Sequence, residues 1–187
     1  MPEEPLDGFE NTINRKALDR YKCKIERVRA YGLRVMLTLF HQSLPTWASA
    51  YGGWMEDKTI DYFLQYTRLI VDRFYDLVDY WITFNEPHLF SLTEYCCGVP
   101  ANLFQVAATA LHQRVYRSTM DRMLTAHIKA YDIIHDTGEK ASRKVSVGIA
   151  HHASFMRPYG FFDITTVEFS NWIACFGYED HVLSKLF

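Results

Sequence analysis

The sequence predicts an α/β fold in which parallel strands alternate with helices. Three apolar runs have the length of buried strands, and segments with helical periodicity separate them along the chain. A cluster of polar residues follows each apolar run directly. Because strands that are separated by helices pair in parallel through right-handed crossovers, we expect these polar clusters at one edge of the sheet.

A helix and a strand are predicted at the start of the chain. Asn14 can cap a helix over residues 14–31, and Gly32 can end it. Residues 33–40 then form an almost continuous apolar run, which is typical of a strand covered on both faces. His41 lies at its exit. The apolar stripe of the helix, at spacings of three and four, is Leu18, Tyr21, Ile25 and Val28.

The same pattern then repeats along the chain. Further predicted helices span residues 59–77, 104–135 and 163–176, and further predicted strands span residues 80–84 and 144–150. We expect Gly138 to end the long middle helix, because glycine is favoured just past a helix terminus.

Each predicted strand delivers polar side chains at its carboxyl end. These are His41, then Asn85 and Glu86, then His151 and His152. Catalytic groups of (β/α)₈ barrels lie at this edge, but a full barrel has eight strands and typically about 250 residues. With three predicted strands in 187 residues, we predict a partial (β/α)₈ TIM barrel. Residues 1–187 would form a single piece of it, with about three central βα units and the barrel not closed.

The strongest candidate for chemistry is the stretch TFNEP, residues 83–87, at the end of the second strand. Pro87 stops regular structure there. Aromatic neighbours would desolvate Glu86 and favour its neutral form, and a neutral carboxyl can donate a proton to a leaving-group oxygen. Asn85 can hydrogen-bond a sugar hydroxyl or orient the acid. The alternative is a helix start, with a capping asparagine and a glutamate favoured by the helix dipole.

Composition excludes several function classes. The net charge of −2 gives no indication of a nucleic-acid partner or of an electrostatic membrane contact. The four cysteines lack Cys-x-x-Cys spacing, which favours a reduced compartment. No stretch approaches the roughly 18 apolar residues of a membrane helix, and no signal peptide opens the chain. The aromatic content of 16% suits a large core or a carbohydrate-facing cleft.

Two further pairs of residues allow a functional and a structural interpretation. His151 and His152 could suggest a metal site, but adjacent residues of a strand point to opposite faces and no third ligand is placed by spacing. We expect one of the pair to face the barrel mouth, and His151 is the sugar-binding candidate. Trp47 and Trp54 can stack on sugar rings or pack in a buried aromatic loop, and Trp54 is the better sugar-binding candidate.

The motifs LTLFHQSLP, YGGW and TFNEP, in this order, resemble glycoside hydrolase family one, the β-glucosidase and β-galactosidase family. The segment HHASFMRPYG is similar to a plant branch of that family. Members of this branch transfer galactose between galactolipids in the chloroplast outer envelope and act in freezing tolerance. The resemblance covers almost the whole chain.

The resemblance implies roles for three residues. Glu86 matches the general acid/base, Asn85 the amide that binds the sugar 2-hydroxyl, and His41 the histidine that contacts hydroxyls of the same sugar. A retaining mechanism also needs a nucleophilic carboxylate about 5–5.5 Å from the acid. The family's Ile-Thr-Glu-Asn-Gly type nucleophile motif does not occur here, and Glu94 lies on the wrong segment to replace it. We therefore expect an incomplete chain that is inactive alone.

The resemblance also bears on partners and location. It implies a galactolipid or another β-glycoside as substrate, no nucleic acid, and membrane association only through regions that this chain lacks. No cofactor is evident, and magnesium is implied by the resemblance alone. The implied location is the chloroplast outer envelope. Two alternatives stay open: a hydrolytic β-glucosidase or β-galactosidase, and a catalytically dead remnant.

Overall fold

The structure, a computed structural model, describes residues 9–97, 110–152 and 156–171. The chain divides into two compact units, Met1–Ala150 and His151–Phe187. The prediction that the whole chain is a single piece of one barrel stays a prediction.

The larger unit alternates helices and strands as the sequence predicts. Its helices are α1 (Arg15–Ala30), α2 (Thr46–Ala50), α3 (Lys58–Phe74), α4 (Pro87–Phe90) and α5 (Ala110–Lys140), and its strands are β1 (Met36–Phe40), β2 (Tyr80–Asn85) and β3 (Ser146–Ala150). Short 3₁₀ turns at Phe9–Thr12, Gly53–Met55 and Tyr75–Leu77 and a π-helical segment at Ser91–Cys97 complete it. The predicted residues 104–109 of the long helix lie outside the described residues.

The three strands form one parallel sheet in the order β1-β2-β3. Phe40 of β1 pairs with Phe84 of β2, and Asn85 of β2 pairs with Ala150 of β3. The carboxyl ends of all three strands therefore lie at one edge. This confirms both the parallel pairing and the common exit that the sequence predicts.

The core of the larger unit lies between the sheet and the two long helices α3 and α5. Trp81 and Phe84 of β2 are fully buried in it. Helix α3 contributes a stripe of large apolar residues, and α5 contributes a stripe of small and aliphatic residues. The buried members of these stripes are Ile60, Phe63, Ile70, Val71 and Phe74 on α3, and Met123, Ala126, Ala130 and Ile134 on α5.

Two expectations about the start of the chain are wrong in part. Strand β1 begins at Met36, and Leu33 and Met36 are 60% and 63% exposed, so this end of the run is not covered on both faces. On α1, Leu18 and Ile25 pack against the core, whereas the other half of the predicted stripe is exposed: Tyr21 and Val28. Asn14 does cap α1, since its side chain accepts a hydrogen bond from the backbone of Ala17.

The end of α5 differs from its prediction. The helix continues past Gly138 to Lys140, and the left-handed residue that ends it is Ser142, at φ 52°. The Ser142 and Arg143 N–H groups donate to the carbonyls of Glu139 and Gly138, which is the Schellman pattern. Gly138 serves close packing instead, because a Cβ there would lie 2.9 Å from the Arg143 carbonyl oxygen.

Asp79 ties the amino ends of β1 and β2 to the surrounding helices. Its Oδ2 accepts the Val35 N–H at 2.8 Å and Nη1 of Arg29 at 2.9 Å, and Arg143 lies 3.6 Å from Oδ1. The Val35 N–H, together with both arginines, holds the pKa of Asp79 below its ordinary value, although burial acts in the opposite direction. These contacts stabilise the amino ends of the strands, which lie opposite the carboxyl ends where the polar residues follow.

The smaller unit contains a 3₁₀ turn (Phe161–Asp163) and helix α6 (Ile164–Asn171). The Asn171 side chain accepts from the Met156 N–H and donates to the Met156 carbonyl, at 2.7 and 2.9 Å. The predicted helix over residues 163–176 is confirmed up to Asn171, and its last part lies outside the described residues. Among the described residues of both units, no helix has the length and apolarity needed to cross a membrane.

Candidate functional site

Glu86 leaves β2 in an unusual backbone conformation. Its φ of 44° and ψ of 55° lie in the left-handed region, and Pro87 begins α4 directly after it. Its N–H donates to the Ala150 carbonyl at 2.8 Å, and its carbonyl accepts the Phe90 N–H at 3.0 Å. Glu86 thus occupies the N-cap position, but its side chain makes no capping hydrogen bond. Glu86 is half-buried, and a capping hydrogen bond does not account for its side chain, so only the helix-dipole part of the helix-start alternative remains.

A β-bulge precedes Glu86 on β2. Ile82 pairs with Gly148 and Asn85 with Ala150, so β2 has one more residue than β3 between these pairs. Thr83 contacts α5 and the next residue, Phe84, contacts α3, although strict alternation would place them on opposite faces. A bulge of this kind redirects the side chains that follow it, and here these are Asn85 and Glu86.

His127 of α5 lies beneath this bulge and was missed by the sequence analysis. It is 6% exposed, and its Nδ1 lies 2.7 Å from Oγ1 of Thr83. Burial lowers the pKa of His127 to about 4, so the imidazole is neutral at pH 7. A signal was present in the sequence, because a histidine at a core position of an apolar helical stripe, between Met123 and Ala130, needs a buried partner.

The buried neutral His127 predicts that acid weakens the fold. In the unfolded chain a histidine takes up a proton near pH 6.5, whereas folded His127 does so only near pH 4. Its contribution to stability is complete above pH 6.5 and is lost as the pH falls toward 4, by about 3 kcal/mol. Urea unfolding of wild type and H127Q at several pH values checks this. The difference in unfolding free energy between the two should shrink over that range; a constant difference would contradict the prediction.

The exit of β1 lies beside the exit of β2. Since Phe40 pairs with Phe84, the next residues, His41 and Asn85, emerge side by side. His41 is exposed, and Gln42 after it has a φ of 122°, so a second strained residue lies at this edge. The structure therefore brings three predicted site residues to one edge of the larger unit: His41, Asn85 and Glu86.

The remaining predicted site residues are placed differently. Trp54 is 1% exposed and lies in the aromatic core, with its ring centroid 5.6, 5.6 and 5.3 Å from those of Phe40, Phe63 and Phe84. The burial of the indole favours the core alternative over the expected sugar contact of Trp54. His151 is exposed and opens the smaller unit, so its role stays a prediction.

The glycines before Trp54 explain how it reaches the core. Gly53 has a φ of 56°, and a Cβ added to it would lie 2.7 Å from Leu44 Cδ1 and closer still to the Tyr95 hydroxyl. That hydroxyl accepts the Trp54 N–H at 2.7 Å. The tight turn of the YGGW motif thus serves packing.

Metal binding finds no support in the described part of the chain. No group of three or more histidine, cysteine, aspartate or glutamate residues there could hold an ion. The chemistry of the exit residues, one carboxyl with one amide and one imidazole, suits proton transfer and hydroxyl binding. The implied use of magnesium stays a prediction.

Comparisons with known proteins place the chain in a family of glycosyl hydrolases. The sequence profile described as "Glycosyl hydrolase family 1" matches residues 5–171. The chain is 48% identical, over 190 aligned positions, to "Galactolipid galactosyltransferase SFR2, chloroplastic" of Arabidopsis thaliana, covering 100% of this chain and 30% of that protein. It is also 48% identical to "Beta-glucosidase-like SFR2, chloroplastic" of Oryza sativa subsp. japonica, of which it covers 29%. The chain thus spans less than a third of the length of these relatives.

A solved structure shows the same fold. A β-glucosidase from Exiguobacterium marinum superimposes with a TM-score of 0.72 at 24% identity, over 90% of this chain and 37% of the other. Such neighbours are TIM-barrel enzymes, and the three parallel strands described here form an unclosed sheet. The larger unit is therefore consistent with a partial (β/α)₈ barrel. Together with the profile match over most of its length, this shows that the chain belongs to glycosyl hydrolase family 1.

Proposed function

We propose that this chain carries the acid/base side of a retaining enzyme that transfers galactose between galactolipids. The observation that carries the proposal is the position of Glu86: a half-buried carboxyl, outside the capping hydrogen bonds, at the strand edge that it shares with His41 and Asn85. The 48% identity to a protein named for galactolipid galactosyl transfer supports galactose and lipid as the substrate class.

In the first step, neutral Glu86 donates its proton to the oxygen of the departing group while the bond between that oxygen and C1 of galactose breaks. A nucleophilic carboxylate bonds to C1 from the opposite face. The motif that supplies this carboxylate in the family does not occur in these 187 residues. We therefore infer that the separate chain gives no turnover, and that the complete reaction needs a carboxylate from outside it.

In the second step, ionised Glu86 takes the proton of an acceptor hydroxyl. The acceptor oxygen bonds to C1, and the nucleophilic carboxylate leaves with its electron pair. If the acceptor is a galactose of another galactolipid, the product is a digalactosyl lipid; if it is water, the product is free galactose. The acceptor alone distinguishes transfer from hydrolysis.

The two neighbouring exit residues would hold the sugar for both steps. The Asn85 amide would bind the 2-hydroxyl, a contact that strengthens in the transition state of such reactions. The His41 imidazole would bind other hydroxyls of the same sugar. Since both leave strands of one parallel sheet, a rigid scaffold fixes their spacing relative to Glu86.

Product analysis tests the proposal. The protein to use is the full natural polypeptide that contains this sequence, called the full protein below, supplied with a monogalactosyl lipid in mixed micelles. We expect digalactosyl and longer lipids together with diacylglycerol, with little free galactose. Mostly free galactose would instead establish the second candidate, a hydrolase, which the 48% identity to a relative named as β-glucosidase-like favours. No turnover of any galactoside would leave the dead-remnant alternative. Parallel reactions with and without magnesium settle the ion requirement.

A further inference from the structure

The side chain of Thr83 joins two neighbouring elements at the bulge. Its Oγ1 lies 2.7 Å from Nδ1 of His127 on α5 and donates to the Gly148 carbonyl of β3 at 3.3 Å. Thr83 is fully buried. A hydroxyl carries one proton but can also accept. If this proton goes to Gly148, the oxygen accepts from the Nδ1–H of neutral His127, and all three groups are satisfied.

These hydrogen bonds lie within the irregular part of the sheet. Gly148 pairs with Ile82, and the extra residue of β2 lies between this pair and the pair of Asn85 with Ala150. Thr83 is thus one of the two residues, with Phe84, that form the bulge. Its contacts to both α5 and β3 hold the bulge from two sides.

The bulge leads into a backbone that is disfavoured by itself. A residue before proline is normally extended, and a non-glycine residue is rarely left-handed, yet Glu86 is both left-handed and followed by Pro87. Such conformations persist only where the surroundings determine them. The nearest fixed point is the hydrogen bond from the Glu86 N–H to the Ala150 carbonyl, at 2.8 Å.

On the basis of the proposed role of Glu86 as the acid, we propose that Thr83 and His127 are positioning residues, whose hydrogen bond holds the bulge and thereby keeps Glu86 in its left-handed, proton-donating placement. Neither side chain touches the sugar in this arrangement, since both are buried on the helix side of β2. They influence the reaction indirectly, because only Phe84 and Asn85 separate Thr83 from Glu86 along the backbone.

Hydrogen exchange of the Glu86 amide tests this without relying on activity. In T83V the hydroxyl is replaced by a methyl group of similar size, and T83S keeps the hydroxyl. In the full protein, residue-resolved exchange measured by mass spectrometry should be at least about tenfold faster at Glu86 in T83V. It should be near wild type in T83S, and amides within α3 should be unchanged. Equal acceleration across the larger unit, or none at Glu86, would overturn the proposal.

H127L provides an independent second variant. H127L removes the hydrogen bond to His127 but keeps the one from Thr83 to Gly148, so it should also accelerate exchange at Glu86, by no more than T83V does. Since T83V already removes the shared bond, adding H127L to T83V should have no further effect. Additive effects would overturn the proposal that the two side chains act through their shared hydrogen bond. On the galactolipid, T83V should lower kcat about tenfold to hundredfold with little change in KM, since a small misplacement of a catalytic group has effects of this size. Exchange and product formation are separate readouts, so failure of the proposed function leaves the exchange result interpretable.

Discussion

Replacing Glu86 by glutamine in the full protein is expected to lower kcat on a galactolipid by about 10²- to 10⁴-fold, the usual contribution of a general acid or base. Glutamine has nearly the same shape but no proton to donate to the departing lipid oxygen and no lone pair basic enough to activate the acceptor. The half-buried position of Glu86 at the strand edge should be retained. Steady-state rates with the monogalactosyl lipid give the measurement.

The leaving group makes this test specific. A galactoside of an acidic phenol needs little protonation, so the first step on such a substrate, observed as a burst of phenol release, should be nearly as fast in E86Q as in wild type. Glu94 offers a matched control, because it is an exposed glutamate on the segment just beyond α4, and E94Q should keep wild-type rates. Equal losses on both leaving groups would argue against an acid role for Glu86.

Trp54→Ala is expected to have the largest effect on stability, a loss of about 3–5 kcal/mol of unfolding free energy, which is typical for a buried aromatic residue. Its indole is 1% exposed, and the rings of Phe40, Phe63 and Phe84 surround it. Removing it would leave a cavity where β1, β2 and α3 meet. Urea unfolding followed by far-UV circular dichroism measures the change.

Two variants separate core packing from sugar binding. Trp47 is half-buried and contacts Tyr62 at the surface of the unit, so W47A should cost about 1 kcal/mol or less. W54F keeps an aromatic ring, although a smaller one, and removes the buried indole N–H, which has no hydrogen-bond partner among the described residues. W54F leaves a smaller cavity than W54A and should therefore lose clearly less unfolding free energy. A W54A variant with unchanged stability but weaker galactoside binding would restore the sugar-stacking interpretation.

Local patterns were enough to predict the elements of the larger unit. Apolar runs bounded by polar residues located all three strands, and the spacing of apolar residues located α1 and α3. Asn14 and Gly32 mark the ends of α1 because their roles depend on the backbone within one turn. Gly138 misled the prediction, since a glycine required for close packing and one required for a left-handed turn look alike in a sequence.

Features that depend on distant contacts could not be predicted in this way. The bulge arises from the pairing of β2 with β3, and no local sequence pattern at Thr83 predicts it. The same holds for His127, whose partner lies 44 positions away in the sequence. Trp54 shows the related difficulty with aromatic side chains, because a ring suited to stacking on a sugar is equally suited to stacking in a core.

The left-handed backbone of Glu86 has a consequence for how this position can vary over evolution. Glycine adopts that conformation without strain, so a drift toward greater folding stability would favour glycine at position 86 and remove the acid. A glutamate in this left-handed conformation costs folding stability relative to glycine. If Glu86 has the proposed acid role, its presence reflects selection for chemistry acting against selection for stability, and a family copy released from the first pressure should lose this glutamate early.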